Sequence, residues 1–60
     1  MRLAIKKIDG ITNYLKLDSL QTGVMTRNKN NALRIDDDEA IELKQKLWAR
    51  GFELVEVSEA

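Results

Sequence analysis

Apolar positions recur with two different periods along this chain, and the change of period divides it. Residues 2–8 (RLAIKKI) and 11–17 (ITNYLKL) are rich in β-branched and aliphatic side chains and flank Asp9-Gly10. Asp-Gly favours a two-residue hairpin, because a type I′ turn requires positive φ at both central positions. A turn that tight sets Ile8 opposite Ile11, Ala4 opposite Leu15 and Ile5 opposite Tyr14. Lys6 and Leu17 break the alternation, which fits a sheet with one face against a helix and the other partly covered.

The period changes after residue 35. Asp36 to Glu39 stack four carboxylates at a helix start, and Asp36 with Glu39 has the spacing of a capping box. At about 100° per residue, Ala40, Ile41, Leu43, Leu47 and Trp48 fall within an arc of roughly 160°, and Lys44 lies inside it. Lys44 must therefore snorkel outward along its stem. Glu42 and Lys46 have the spacing and order of a favourable i,i+4 pair. Acids at the start and Lys46 and Arg50 at the end match the helix dipole. Gly51 is a natural stop, able to take the left-handed conformation without a Cβ penalty. The pattern predicts a helix over about 37–50.

Residues 52–57 (FELVEV) then return to alternation, with Phe52 and Leu54 on one face and Val55 and Val57 on the other. Apolar residues on both faces suggest a strand covered on both sides. The remaining stretch, residues 18–31 (DSLQTGVMTRNKNN), has the weakest pattern. Asp18-Ser19 and Thr22-Gly23 are turn-like. Val24–Thr26 can form a short strand, and residues 27–31 a turn or single helical turn capped by Thr26. Ser58 to Ala60 are expected to fray. Together these elements predict one α+β domain over residues 1–60. Its sheet is mostly antiparallel, of three to four strands, with one helix packed on a face in the order ββ(β)αβ. The expected core is Ile5, Leu15, Ile35, Leu43, Leu47, Trp48 and Leu54.

Composition adds a constraint on stability. A chain of 60 residues buries only about 60% of the surface its unfolded form exposes, so it commonly needs reinforcement. There is no Cys for a disulfide and no His, which leaves carboxylates alone as metal ligands. Self-association is the remaining device. A homodimer is expected, with Phe52, Val55 and Val57 as its interface. No stretch reaches the roughly 20 apolar residues that span a bilayer, and the N-terminal segment is too short and too interrupted by Lys6 and Lys7 to resemble a signal peptide. With no cysteine to exploit an oxidising compartment, a cytoplasmic location and no membrane partner are expected.

The net charge is zero but unevenly spread. Residues 1–35 carry seven cations against two acids, and residues 36–60 carry three cations against eight acids. Such a split suits a basic binding face, two ends that attract one another in a dimer, or charges that interleave on one surface after folding. The candidate contact residues for a partner are Arg27, Lys29 and Arg34 on the basic side, and Asp37 and Asp38 at the acidic helix start.

The order of elements, together with Val24-Met25-Thr26, Ala32, Ile35, the acids before Ala40 and the closing FELVEV, resembles small hairpin–loop–helix–strand proteins of Gram-positive bacteria and their phages. The pattern carrying the resemblance is Thr26, Ala32, Ile35 and Ala40, each of which also has a structural explanation. The aromatics that such proteins place near the second strand's loop are absent here apart from Tyr14. The resemblance implies the ββ(β)αβ order and a phage or mobile-element origin, and it transfers no active site.

Catalytic chemistry finds little support. Without His or Cys, the usual neutral-pH bases and nucleophiles are missing, and Ser19, Ser58, Thr12, Thr22, Thr26 and Tyr14 have no evident activating partner. Gly10, Gly23 and Gly51 are isolated, unlike a phosphate-cradling loop. The run Asp36–Glu39 lacks the spacing of a calcium loop and sits where acids stabilise a helix start. No enzyme activity, cofactor or metal is expected. The expected function is that of a non-catalytic binding protein that modulates or inhibits a host protein. The alternative is nucleic-acid binding through Lys6, Lys7, Lys16, Arg27, Lys29 and Arg34, with Tyr14 stacking a base. Zero net charge argues against that alternative.

Overall fold

A computed structural model describes residues 1–57. The fold is α+β. Strands β1 (Arg2–Ile8), β2 (Ile11–Leu15), β3 (Met25–Thr26) and β4 (Glu53–Glu56) form one antiparallel sheet in the order β3-β2-β1-β4, and a single helix α1 (Asp37–Ala49) precedes β4. The element order is the expected ββ(β)αβ. The expectation for residues 58–60 lies outside the described residues.

Hairpin β1–β2 forms through the anticipated turn chemistry. Asp9 and Gly10 have φ of 53° and 78°, the signs a type I′ turn demands, and the register pairs Ile8 with Ile11 and Ile5 with Tyr14. Strand β2 ends at Leu15, earlier than residue 17. Past that point residues 32–35 take over its place: Lys16 bridges Ala32, and Arg2 and Ile35 exchange both backbone hydrogen bonds at 2.8 Å.

The segment with the weakest pattern is held mainly by backbone bonds. Lys16 N–H donates to Val24 at 2.9 Å, Gly23 N–H to Ser19 at 2.7 Å, and Leu17 N–H to Asn31 at 2.9 Å. A single 3-10 turn (Lys29–Asn31) follows β3. Its cap is Asn28, whose side chain accepts from Asn30 N–H at 3.0 Å, while Thr26 Oγ1 accepts from Asn28 N–H at 3.1 Å. The turn exists as anticipated, but Thr26 orients the capping residue instead of capping the turn itself.

Helix α1 begins at N-cap Asp36, whose side chain makes no capping hydrogen bond, so the capping box is not formed. What the first turn does have is Asp37, Asp38 and Glu39, whose charges complement the positive end of the helix dipole. The C-terminus closes more tightly. Gly51 (φ 88°) donates to Trp48 O at 2.9 Å and Phe52 N–H to Leu47 O at 2.8 Å. This is a Schellman motif, and its accompanying apolar contact is Leu47 with Phe52, both in the core.

Alternation assigns the two faces of the sheet. Ala4, Leu15 and Leu54 point toward α1, where Ile35, Ala40, Leu47 and Phe52 complete the core, with Leu20, Met25, Leu33 and Leu43 packed at its margin. Leu3, Ile5, Tyr14 and Val55 point to the opposite face, where Leu3 is buried and the other three are half-buried. Of the expected core, Leu15, Ile35 and Leu47 are fully buried and Leu43 and Leu54 pack against them, whereas Ile5 lies on the far face. Trp48 is the clear departure, at 77% exposed.

Candidate functional site

Exposure of Trp48 follows from where helix and sheet meet. Residues Ala40, Leu43 and Leu47 occupy the part of α1 that faces the sheet. Ile41 and Trp48 lie roughly 100° and 80° further round than Ala40, on the flank above the edge strand. No element covers that flank among the described residues, and Ile41 is 78% exposed. A groove of about 510 Å³ runs between this flank and β4. Its floor is Ala40, Phe52 and Leu54, and its helical wall is Asp37, Ile41, Lys44 and Trp48, at the spacing of one stripe. Arg2 Nε contacts Asp37 Oδ1 at 3.4 Å and closes one end. Glu53 belongs to the opposite end of the groove.

Charges of both signs line the groove, with Arg2 and Lys44 beside Asp37, while Glu53 pairs with Ile5 and directs its side chain to the far face. Beneath the groove, Lys6 Nζ lies 4.5 Å from the Phe52 ring centroid, a cation–π contact. Among the described residues no set of three acidic side chains converges as a metal site.

The other flank of α1 is covered by a loop, with a smaller cleft of about 320 Å³ left between Leu20 and Leu43. Arg50 donates through Nη1 to Leu20 O at 2.7 Å and through Nη2 to Gln21 O at 3.5 Å, tying the loop of residues 17–24 over Leu43 and Leu47. Gly23 lies against this clamp: its φ of 75° suits glycine, and a Cβ there would displace the Arg50 guanidinium.

Of the residues singled out from sequence, two join the groove: Asp37 in its wall and Phe52 in its floor. Asp38 is exposed beside Asp37, Arg27 and Lys29 are exposed after β3 toward the opposite side of the sheet, and Arg34 is exposed next to Ile35, which pairs with Arg2. Phe52 is 4% exposed and packs into the protein's own core while also lining the groove floor. Val55 and Val57 are half-buried. The apolar arc places Ile41 and Trp48 inward, whereas both are exposed; Lys44 reaches the surface as its position in the arc requires. Lys44 was the available signal: it lies between the Ala40–Leu47 side of that arc and the Ile41–Trp48 side.

No family model matches this chain, and neither the curated proteins nor the solved structures contain a match. No helix among the described residues is long and apolar enough to cross a membrane.

Proposed function

We propose that this chain is a non-catalytic binding protein that works by protein–protein contact, of the kind that modulates or inhibits a host protein. The observation that carries the reading is Trp48. A tryptophan 77% exposed beside an isoleucine 78% exposed, over a groove with an apolar floor, is costly to leave in water and characteristic of contact surfaces. The mixed charges of the groove, with Arg2 already paired to Asp37, favour a protein partner over a polyphosphate backbone, which selects for surplus cations. Arg27 and Lys29 add a separate polar surface beyond β3 that can adjust encounter and specificity.

The test is capture from a Gram-positive lysate with the full chain and its Trp48→Lys variant, each with and without nuclease. A discrete protein retained after nuclease and lost with Trp48→Lys is the expected result. Nuclease-sensitive, salt-sensitive capture indifferent to Trp48 would transfer the function to nucleic-acid binding.

A further inference from the structure

We propose that the groove between α1 and β4 is the docking surface for a second copy of this chain, joined edge to edge through β4. This rests on reading the groove as a protein-contact surface and names its occupant. Two adjacent features carry it: the open strand edge and the exposed helical flank above it.

β4 ends the sheet, with β1 as its one neighbour. Val57 N–H donates to Met1 O at 2.9 Å, so by the alternation of an antiparallel ladder the N–H and C=O groups of Leu54 and Glu56 point outward. An antiparallel pairing of two β4 strands about Val55 sets Leu54 of one copy opposite Glu56 of the other and satisfies those groups in both. In that register no two carboxylates face each other, because Glu53 stands opposite Val57.

Side-chain chemistry agrees with this register. Glu56 shares the helix-side face of β4 with Leu54. In the pair, Glu56 of the second copy therefore enters beside Leu54, in the groove walled by Lys44. Opposite charges meet there twice, once on each side of the axis. Helix α1 runs antiparallel to β4, since Arg2 of the β4-terminal end contacts Asp37 while Phe52 follows the helix C-terminus. A two-fold axis then lays the two helices antiparallel, and Trp48 of each copy reaches toward Ile41 of the other, as an isologous interface requires.

Area is consistent with that occupant. A stable interface takes roughly 800 Å² from each partner, close to a fifth of this protein's 4479 Å². A buried aromatic side chain contributes about 150–250 Å², and Ile41, the groove walls and the strand edge add to it. Pairing also leaves both β3 edges, with Arg27 and Lys29, at the outer ends of the combined eight-stranded sheet, open to a different partner.

Sedimentation equilibrium of the full chain at micromolar concentration tests this. The expected mass is twice 6.9 kDa. Glu56→Pro removes an N–H that only the second copy uses, and proline is tolerated at a strand edge. It should weaken the dimer about tenfold or more, as should Trp48→Lys. Lys44→Glu and Glu56→Lys should each weaken it, and together restore it. A single 6.9 kDa species at every concentration overturns the proposal. If that monomer still captures a lysate protein through Trp48, the contact reading stands without self-association. If it captures none, both fail. A dimer indifferent to Glu56→Pro and Trp48→Lys also overturns it, and points to the far face of Ile5, Tyr14 and Val55.

Discussion

The two flanks of α1 carry similar side chains and meet opposite fates. On one flank Leu43 and Leu47 lie beneath the loop of residues 17–24, which Arg50 clamps through Leu20 O at 2.7 Å. On the other, Ile41 and Trp48 stand over an open strand edge, with no loop to cover them among the described residues. Leu47 is 1% exposed, and its neighbour Trp48 is 77% exposed. Residue type does not separate them. What separates them is whether another segment is long enough, and tied well enough, to close over each flank. The closed flank holds the fold together and the open one is available for contact, so substitutions on the two sides should have opposite signatures.

The largest effect belongs to the closed flank. Leu47→Ala removes a fully buried side chain shared by the core and the Schellman contact, and should cost roughly 2–5 kcal/mol. Chemical denaturation measures this directly, and a variant that unfolds at the same midpoint as the parent would contradict the core assigned here. Next comes the clamp. Gly23→Ala places a side chain at φ 75° and crowds Arg50 Nη2, so a loss of about 1–2 kcal/mol is expected. A neutral result would mean that the loop does not depend on this clamp.

At a dilution where the parent is monomeric, Trp48→Lys should be nearly silent in the same denaturation experiment, within about 0.5 kcal/mol, while weakening contact. A loss comparable to that of Leu47→Ala would place Trp48 in the core and erase the difference between the flanks. Smallest of all is Asp36→Ala. Because the Asp36 side chain caps nothing, the cost should stay at about 0.2 kcal/mol, well below the roughly 1 kcal/mol of a lost N-cap. A full-sized loss would restore the capping box suggested by Asp36 and Glu39.

Where local chemistry decides the outcome, the fold was legible in the sequence. Asp9-Gly10 determined the hairpin and its register, and Gly51 determined the helix stop, because positive φ at those places admits few residues. The order of the elements followed from the change in apolar period. Less legible was anything set by long-range closure. Loop 17–24 is held by contacts between residues some thirty positions apart, such as Arg50 to Leu20, for which no local pattern exists. The apolar arc of α1 indicated which residues dislike water, but not where the sheet ends beneath them. For that reason the arc places Trp48 inward, whereas the structure leaves it exposed, and Phe52, expected at an interface, also packs into the core. The basic loop residues Arg27 and Lys29 were correctly expected at the surface, yet they lie apart from the groove.

Trp48 is the protein's one tryptophan, so its fluorescence reports on the open flank alone. The most direct measurement is its quenching by a water-soluble quencher across a dilution series of the full chain. Free access in dilute protein, with shielding that grows as concentration rises and disappears in Glu56→Pro, is the predicted result. A Trp48 shielded even at the lowest concentration would contradict the open flank itself. One equally accessible at every concentration would contradict its closure by a second copy.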